Sequence, residues 1–123
     1  MTAAADGPAE ARLRRELARG TIELATLSVL SSRPRYGYDL LSELNELTGG
    51  VPEIKEGTLY PLLHRLEDAG HVQARWQAEG RTPPRKYYEL TVSGRAQLRS
   101  LRDEWNRLVA GMGRLLGSEG AHR

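Results

Sequence analysis

Residues 56–70 read EGTLYPLLHRLEDAG and settle the kind of fold that the chain adopts. The leucines of this segment recur at the i, i+3, i+4, i+7 spacing of a helix with one buried face. They are Leu59, Leu62, Leu63 and Leu66. Thr58 is a candidate N-cap, Pro61 fits in the first turn, and Gly70 suits the left-handed residue that ends a helix. The segment therefore predicts a short helix with defined ends.

After this helix the sequence pattern changes from a period of 3.6 to a period of 2. Val72, Ala74 and Trp76 alternate with polar residues, and residues 87–90 alternate in the same way, so each segment predicts a strand. The residues between them are polar and include Gly80 and two prolines. We therefore expect a β-hairpin with a basic tip.

The chain before residue 56 predicts further helices. Residues 10–19 predict a short, basic and frayed helix, and residues 21–32 predict a central one that a proline ends. A third apolar face spans residues 38–48 and stops at two glycines. Residues 1–9 are small and polar, and we expect a disordered tail there.

The last helix is expected over residues 91–117, with Thr91 or Ser93 as its N-cap. Its large apolar side chains follow one another in steps of three and four residues, which is a heptad seam. The seam consists of Leu98, Leu101, Trp105, Leu108, Met112 and Leu115. Because these side chains are large and apolar, their burial against a second copy of the chain is favourable. The seam therefore predicts a homodimer with this interface. Residues 118–123 are expected to form a disordered tail.

Short helices followed by a hairpin are typical of a winged helix-turn-helix, so the fold class is α+β and mostly α. The winged-helix domain, with a basic N-terminal arm, is expected over residues 10–90, and a long dimerisation helix over residues 91–117. In such a fold the helix before the hairpin is the candidate for the DNA major groove. The hairpin is then the wing, which reaches flanking phosphates or the minor groove.

Composition excludes several classes of function. The chain has 123 residues, about one domain, and no cysteine for a disulfide, a thiolate metal site or a nucleophile. Its three histidines lack metal-ligand spacing, and no catalytic set or phosphate loop is recognisable, so we expect no enzyme, cofactor or metal. No apolar run suits a membrane helix or a secretory signal, which predicts a cytoplasmic protein without a membrane partner.

Charge is distributed unevenly along the chain. The formal net charge is +2, but residues 36–70 carry seven acids and two bases, and residues 75–102 carry seven bases and two acids. A further basic cluster, Arg12, Arg14, Arg15 and Arg19, precedes the first apolar helix. Arginine suits planar contact with phosphates and base edges. Basic clusters of this kind suggest a polyanionic partner such as double-stranded DNA, but charge alone leaves a solvated arginine-rich surface open as the alternative.

Charge and position single out candidate DNA contacts on the helix of residues 56–70, next to its start, and on the wing. They are Lys55, Thr58, Tyr60, His64, Arg81, Arg85 and Lys86. Hydroxyls and cations of this kind bond phosphates or base edges. Two of these residues have structural alternatives, because Tyr60 could pack against the wing and His64 could be a solvated histidine without a role.

Three motifs occur in order along the chain. From the N-terminus they are Tyr36-Gly37-Tyr38-Asp39-Leu40, residues 56–70, and Gly80-Arg81 followed by Arg85-Lys86-Tyr87-Tyr88-Glu89-Leu90-Thr91. Together they resemble the PadR-type transcriptional regulators over about residues 21–116, and the single helix after the wing is similar to the short subfamily. The resemblance implies a homodimer that binds an inverted-repeat operator, usually to repress. The contacts that it implies are Tyr36, Tyr38, Thr58, Tyr60, His64, Arg81, Arg85 and Lys86, while Lys55 is added from charge and position alone.

Two alternatives stay open at the level of sequence. Trp105 lies in the middle of the seam, where it either fills the dimer interface or stacks with its copy on a small aromatic effector, as in some members of that family. The chain as a whole is alternatively a winged-helix module for protein interaction or ligand sensing that binds no operator. Three cations in the wing favour DNA over that alternative.

Overall fold

The computed structural model describes residues 7–50, 53–78 and 80–121. Over these residues the chain forms four helices and a three-stranded antiparallel sheet with the strand order β1-β3-β2. The elements are α1 (Pro8–Leu30), β1 (Arg35–Tyr36), α2 (Gly37–Thr48), α3 (Glu56–Asp68), β2 (Val72–Gln77), β3 (Arg85–Leu90) and α4 (Val92–Ala121). This confirms the predicted winged helix of the α+β class.

The hydrophobic core lies between the helices and one face of the sheet. Leucines of α1, α2 and α3 fill it, and Val72 and Leu90 close it from the sheet. The fully buried leucines include Leu27, Leu30, Leu40, Leu44, Leu59, Leu62 and Leu63. Each one stabilises the fold by roughly 1.5–3 kcal/mol relative to an exposed side chain. The stripe that predicted α3 is therefore the stripe that anchors this helix to the domain.

The end of α3 and the start of α4 are locked together by turn chemistry. Gly70 has φ +82°, and the N–H of His71 donates to the carbonyl of Leu66 at 2.8 Å, which is a Schellman motif. Thr91 Oγ1 accepts the N–H of Gly94 at 3.0 Å and donates to the carbonyl of Gly70 at 2.6 Å. Of the two predicted candidates, Thr91 rather than Ser93 is thus the N-cap of α4, and it also connects that helix to the end of α3.

The N-cap expected for α3 is wrong by one turn. The helix begins at Glu56, with Lys55 before it, and the N–H of Thr58 donates to the carbonyl of Lys55 at 2.9 Å. Thr58 therefore lies inside the first turn with an exposed side chain. Pro61 lies inside the helix as well, one turn further on than expected.

The first and last helices are longer than expected. Helix α1 is one continuous element from Pro8, so Pro8 and Ala9 are helical rather than part of a tail, and no break separates residues 10–19 from residues 21–32. Helix α4 continues past residue 117 to Ala121. The remaining tail predictions, for residues 1–6 and 122–123, lie outside the described residues. No helix in the described part of the chain is long and apolar enough to span a membrane.

A buried arginine ties the end of α1 to α2. Arg35 is 6% exposed, and its guanidinium bonds both carboxylate oxygens of Glu43, at 2.7 and 3.0 Å. It also donates to the carbonyls of Val29 and Arg33 at 2.6 and 2.8 Å. These hydrogen bonds to Arg35 hold the pKa of Glu43 below its usual value. The network holds β1, which the sequence did not predict, beside β3 in the register Tyr36↔Tyr87.

Candidate nucleic-acid interface

A groove opens where the start of α2, the face of α3 and the wing meet. Its volume is about 620 Å³, and its lining comes from three parts of the chain that are distant in sequence. The lining residues are Tyr36, Gly37, Tyr38, Tyr60, Trp76, Pro84, Arg85, Lys86 and Tyr88. Five of the nine candidate DNA contacts therefore line one surface, and we call this surface the wing groove.

Tyr36 and Arg85 form the centre of the wing groove on the sheet side. The guanidinium carbon of Arg85 lies 4.6 Å from the centre of the Tyr36 ring, which is a cation–π contact. The same ring meets Tyr87 edge-on, with 5.3 Å between ring centres. Two contacts from β3, one with Arg85 and one with Tyr87, thus position the Tyr36 ring, which supports the exposed cation of Arg85 on the groove wall.

Tyr60 packs across the start of α2. A Cβ added to Gly37 would lie 2.7 Å from Cε1 of Tyr60, so the ring can approach the backbone this closely only because this position is a glycine. Burial raises the pKa of Tyr60, and the neighbouring Glu56 and Tyr88 raise it further. The side chain is still 39% exposed. Tyr60 thus packs against α2 while its phenol remains protonated and accessible as a hydrogen-bond donor.

Lys86 connects the wing to α3. Its ammonium lies 3.8 Å from a carboxylate oxygen of Glu67 and 5.4 Å from the ring centre of Tyr88. The side chain is about one-third exposed. Its charge is therefore shared with Glu67, and the pair is one contact between the wing and α3. Arg85, which precedes it, is exposed and carries the freer charge.

The other four candidates lie outside the wing groove. Lys55 and Thr58 are exposed at the start of α3, and Arg81 is exposed at the tip of the wing. His64 is exposed on the outer face of α3, where its Nε2 lies 3.9 Å from a carboxylate oxygen of Asp68. Tyr38 lines the groove but is 69% exposed, so it contacts little of the domain. The candidates are therefore spread along α3 and the wing rather than gathered in a closed pocket.

Trp76 belongs to the wing groove but was not singled out from the sequence. The sequence shows it only as one of the alternating apolar residues of β2, and in the structure it is 70% exposed and pairs with Lys86 on β3. Trp76 is exposed because strands β2 and β3 extend beyond the hydrophobic core. The apolar alternation therefore continues onto a part of the sheet that the described helices leave exposed. The signal available in the sequence was a tryptophan directly after Arg75, near the end of the predicted strand that leads into the basic tip of the hairpin.

The apolar seam of α4 is mostly exposed to solvent. Leu98 is buried and Leu101 packs on the core, but Trp105, Leu108, Met112 and Leu115 are 39–75% exposed. A groove of about 470 Å³ runs between this seam and the exposed side of α1, with Leu17, Thr21 and Leu24 on its far wall.

Within the described residues, no three His, Asp or Glu side chains are placed to hold a metal ion.

Comparisons with known proteins agree on one family. The model of the transcriptional regulator PadR-like family matches residues 26–100. The crystal structure of a PadR family transcriptional regulator from Eggerthella lenta DSM 2243 is similar with a TM-score of 0.70 and 40% identity, over 85% of this chain and 86% of that one.

Two further similarities are with the protein PadR of Bacillus subtilis. The negative transcriptional regulator PadR of strain 168 is 32% identical over 77 residues, which are 63% of this chain and 42% of that protein. The crystal structure of Bacillus subtilis PadR in complex with operator DNA is similar with a TM-score of 0.59 and 31% identity. That match covers 66% of this chain and 45% of the other.

Proposed function

This chain belongs to the PadR-like family of transcriptional regulators, and we propose from that premise that it represses transcription as a homodimer bound to an inverted-repeat operator. A wing groove lined by Tyr36, Tyr38, Tyr60, Arg85 and Lys86 is the observation that carries the proposal. It lies beside the helix that a winged helix inserts into the major groove. The operator complex of the Bacillus subtilis relative and its description as a negative regulator support the same function.

Within this proposal the contacts divide into two roles. Arg81 and Arg85 are exposed on the wing and bind phosphates or the minor groove, which gives affinity without sequence preference. Thr58, Tyr60 and His64 are exposed on α3 and select bases or fix the register of the helix. The same surface includes Tyr36 and Tyr38 at the start of α2, Lys55 beside α3, Trp76 on the wing, and Lys86, whose ammonium also pairs with Glu67.

The homodimer is supported by the exposed seam of α4. Trp105, Leu108, Met112 and Leu115 present a row of large apolar side chains along a helix that extends well beyond the core. Exposed apolar surface of this kind is typical of protein interfaces. A two-fold dimer places two copies of α3 on the same side of the assembly, which matches a palindromic site. In this proposal residues 10–90 bind DNA, and the helix from residue 91 onward joins the copies.

We also propose that a small aromatic effector releases the operator. Trp105 lines the apolar groove between α1 and α4 and is 39% exposed, so a flat ring could stack on it at the dimer interface. Titration with planar aromatic compounds is expected to quench the fluorescence of Trp105 in a Trp76→Phe variant. Unchanged fluorescence across a broad panel would leave Trp105 with a packing role only.

A salt series of DNA binding tests the main proposal. The logarithm of the affinity for a labelled mixed-sequence duplex is expected to fall linearly with the logarithm of the salt concentration, by about 0.9 for each phosphate contacted. The double variant Arg81→Ala/Arg85→Ala is expected to lower this slope, while Arg107→Ala, whose guanidinium pairs with Glu104 on α4, should not. Binding that ignores salt, or no binding at all, would favour a protein-interaction or ligand-sensing module.

A further inference from the structure

The basic arm at the start of the chain forms an ordered stripe on α1. Arg12, Arg15 and Arg19 follow the spacing i, i+3, i+7, so the three side chains share one face of the helix. All three are exposed. Arg19 bonds Glu16 at 2.7 Å, but this pair is itself exposed and holds the two charges only weakly. The stripe precedes residues 26–100, which the family model matches.

The stripe lies next to the start of α3. Arg15, Ala18, Arg19 and Ile22 of α1 share a shallow groove of about 230 Å³ with Glu53, Ile54 and Thr58. Thr58 is one of the candidate DNA contacts, and Lys55 is exposed nearby. Two arginines of α1 thus add positive charge beside Lys55 at the start of α3, where Glu53 and Glu56 are the acidic neighbours.

The stripe and the wing lie on opposite edges of α3. Tyr60 packs on Gly37 and Glu67 pairs with Lys86, so that edge of α3 belongs to the wing groove. Thr58 lies about 160° around the helix from Tyr60, and its edge faces α1. DNA that receives the exposed face of α3 therefore passes between two cationic flanks.

The opposite face of α1 indicates where the arginine stripe lies in the proposed dimer. Leu17, Thr21 and Leu24 form a groove with the α4 seam, which is the proposed dimer face. In a dimer paired through that face, helix α1 would stand between α3 and the two-fold axis, and the wing would lie on the outer side.

We propose that Arg15 and Arg19 form a second phosphate-binding surface, which contacts the duplex between the two half-sites while the wing contacts it outside them. This inference rests on the proposed function, because it assumes a dimer bound to DNA. The occupant is the phosphate backbone of double-stranded DNA, since guanidinium groups along a helix match the spacing and charge of phosphates without selecting bases.

The test compares Arg15→Ala/Arg19→Ala with Arg99→Ala/Arg102→Ala in the full chain. Both variants remove two exposed arginines, the second pair from α4 away from its seam. Each is titrated by fluorescence anisotropy against a labelled mixed-sequence duplex over a salt series. If all four arginines of a dimer contact phosphates, the α1 variant lowers the salt slope by about 3.6, and the α4 variant leaves it unchanged.

Each outcome decides a different claim. Wild-type binding with an unchanged slope in the α1 variant would overturn the second phosphate surface and leave the proposed function standing. A change in the dimer dissociation constant, measured by sedimentation, would assign the stripe to the dimer contact instead. No binding by the wild-type chain would overturn the proposed function itself. Neutral methylphosphonates at the centre of a selected operator should weaken wild-type binding and leave the α1 variant unaffected if the central position is correct.

Discussion

Replacing Leu108 by aspartate is the sharpest test of the dimer. Leu108 lies in the α4 seam and is 55% exposed in the single chain, so its substitution leaves the buried core intact. Leu101 is a poorer choice, because it packs on the core of its own chain and its loss would also destabilise the monomer.

The size of the effect follows from the exposed fraction. A leucine gains roughly 1.5–3 kcal/mol on full burial, so the 55% that is still exposed accounts for about 0.8–1.6 kcal/mol per copy on dimerisation. Two copies lose twice that amount, which raises the dimer dissociation constant by about 10-fold to 200-fold. The desolvation of two carboxylates at the interface adds to the loss.

Sedimentation velocity over a concentration series measures this change directly. The control is Leu47→Asp on α2, because Leu47 is similarly exposed at 66% but lies outside the seam. We expect the control to remain dimeric and Leu108→Asp to be monomeric at concentrations where the wild type is paired. A Leu108→Asp chain that associates as tightly as the wild type would refute the assignment of the interface.

Three further predictions concern stability and the wing groove. Because the bonds from Arg35 lower the pKa of Glu43, Glu43→Gln should reduce the free energy of unfolding by up to about 3 kcal/mol at neutral pH. The difference should shrink as the pH falls below 4.5, the ordinary value for this carboxyl, and urea unfolding at several pH values measures it. Gly37→Ala should displace the Tyr60 ring and weaken DNA binding about tenfold with little change in melting temperature; equal affinity in a mobility-shift assay would count against the role of Tyr60. Fluorescence of Trp76, with the other tryptophan replaced by phenylalanine, should change when DNA is added, and a constant spectrum would place this residue outside the interface.

Local signals in the sequence predicted most of the fold. The leucine spacing of α3, the left-handed Gly70 and the capping Thr91 each depend on neighbours within a few residues, and the structure contains all three features. Because the helices and the hairpin follow one another in this order, few arrangements of them enclose a single hydrophobic core. The start of α3 was placed a turn too late because Thr58 resembles a cap, while Lys55 occupies that position without a capping side chain.

Features that depend on contacts between residues far apart in the sequence could not be predicted from local patterns. Strand β1 is only two residues long and exists because Tyr36 pairs with Tyr87 and because Arg35 is anchored by Glu43. The pairing of Lys86 with Glu67 likewise connects two elements through space and changes how much charge the wing offers to DNA. Residue types alone identified the cations, but only the fold shows which of them are committed to partners.

Selection of bound sequences from random duplex DNA tests the central claim most directly. The account predicts enrichment of an inverted repeat whose half-site centres are separated by about 10–10.5 base pairs or a multiple of that spacing, because two copies of α3 enter successive major grooves on one face of the duplex. Recovery of no common sequence, or of a single asymmetric site, would contradict a dimeric operator-binding regulator.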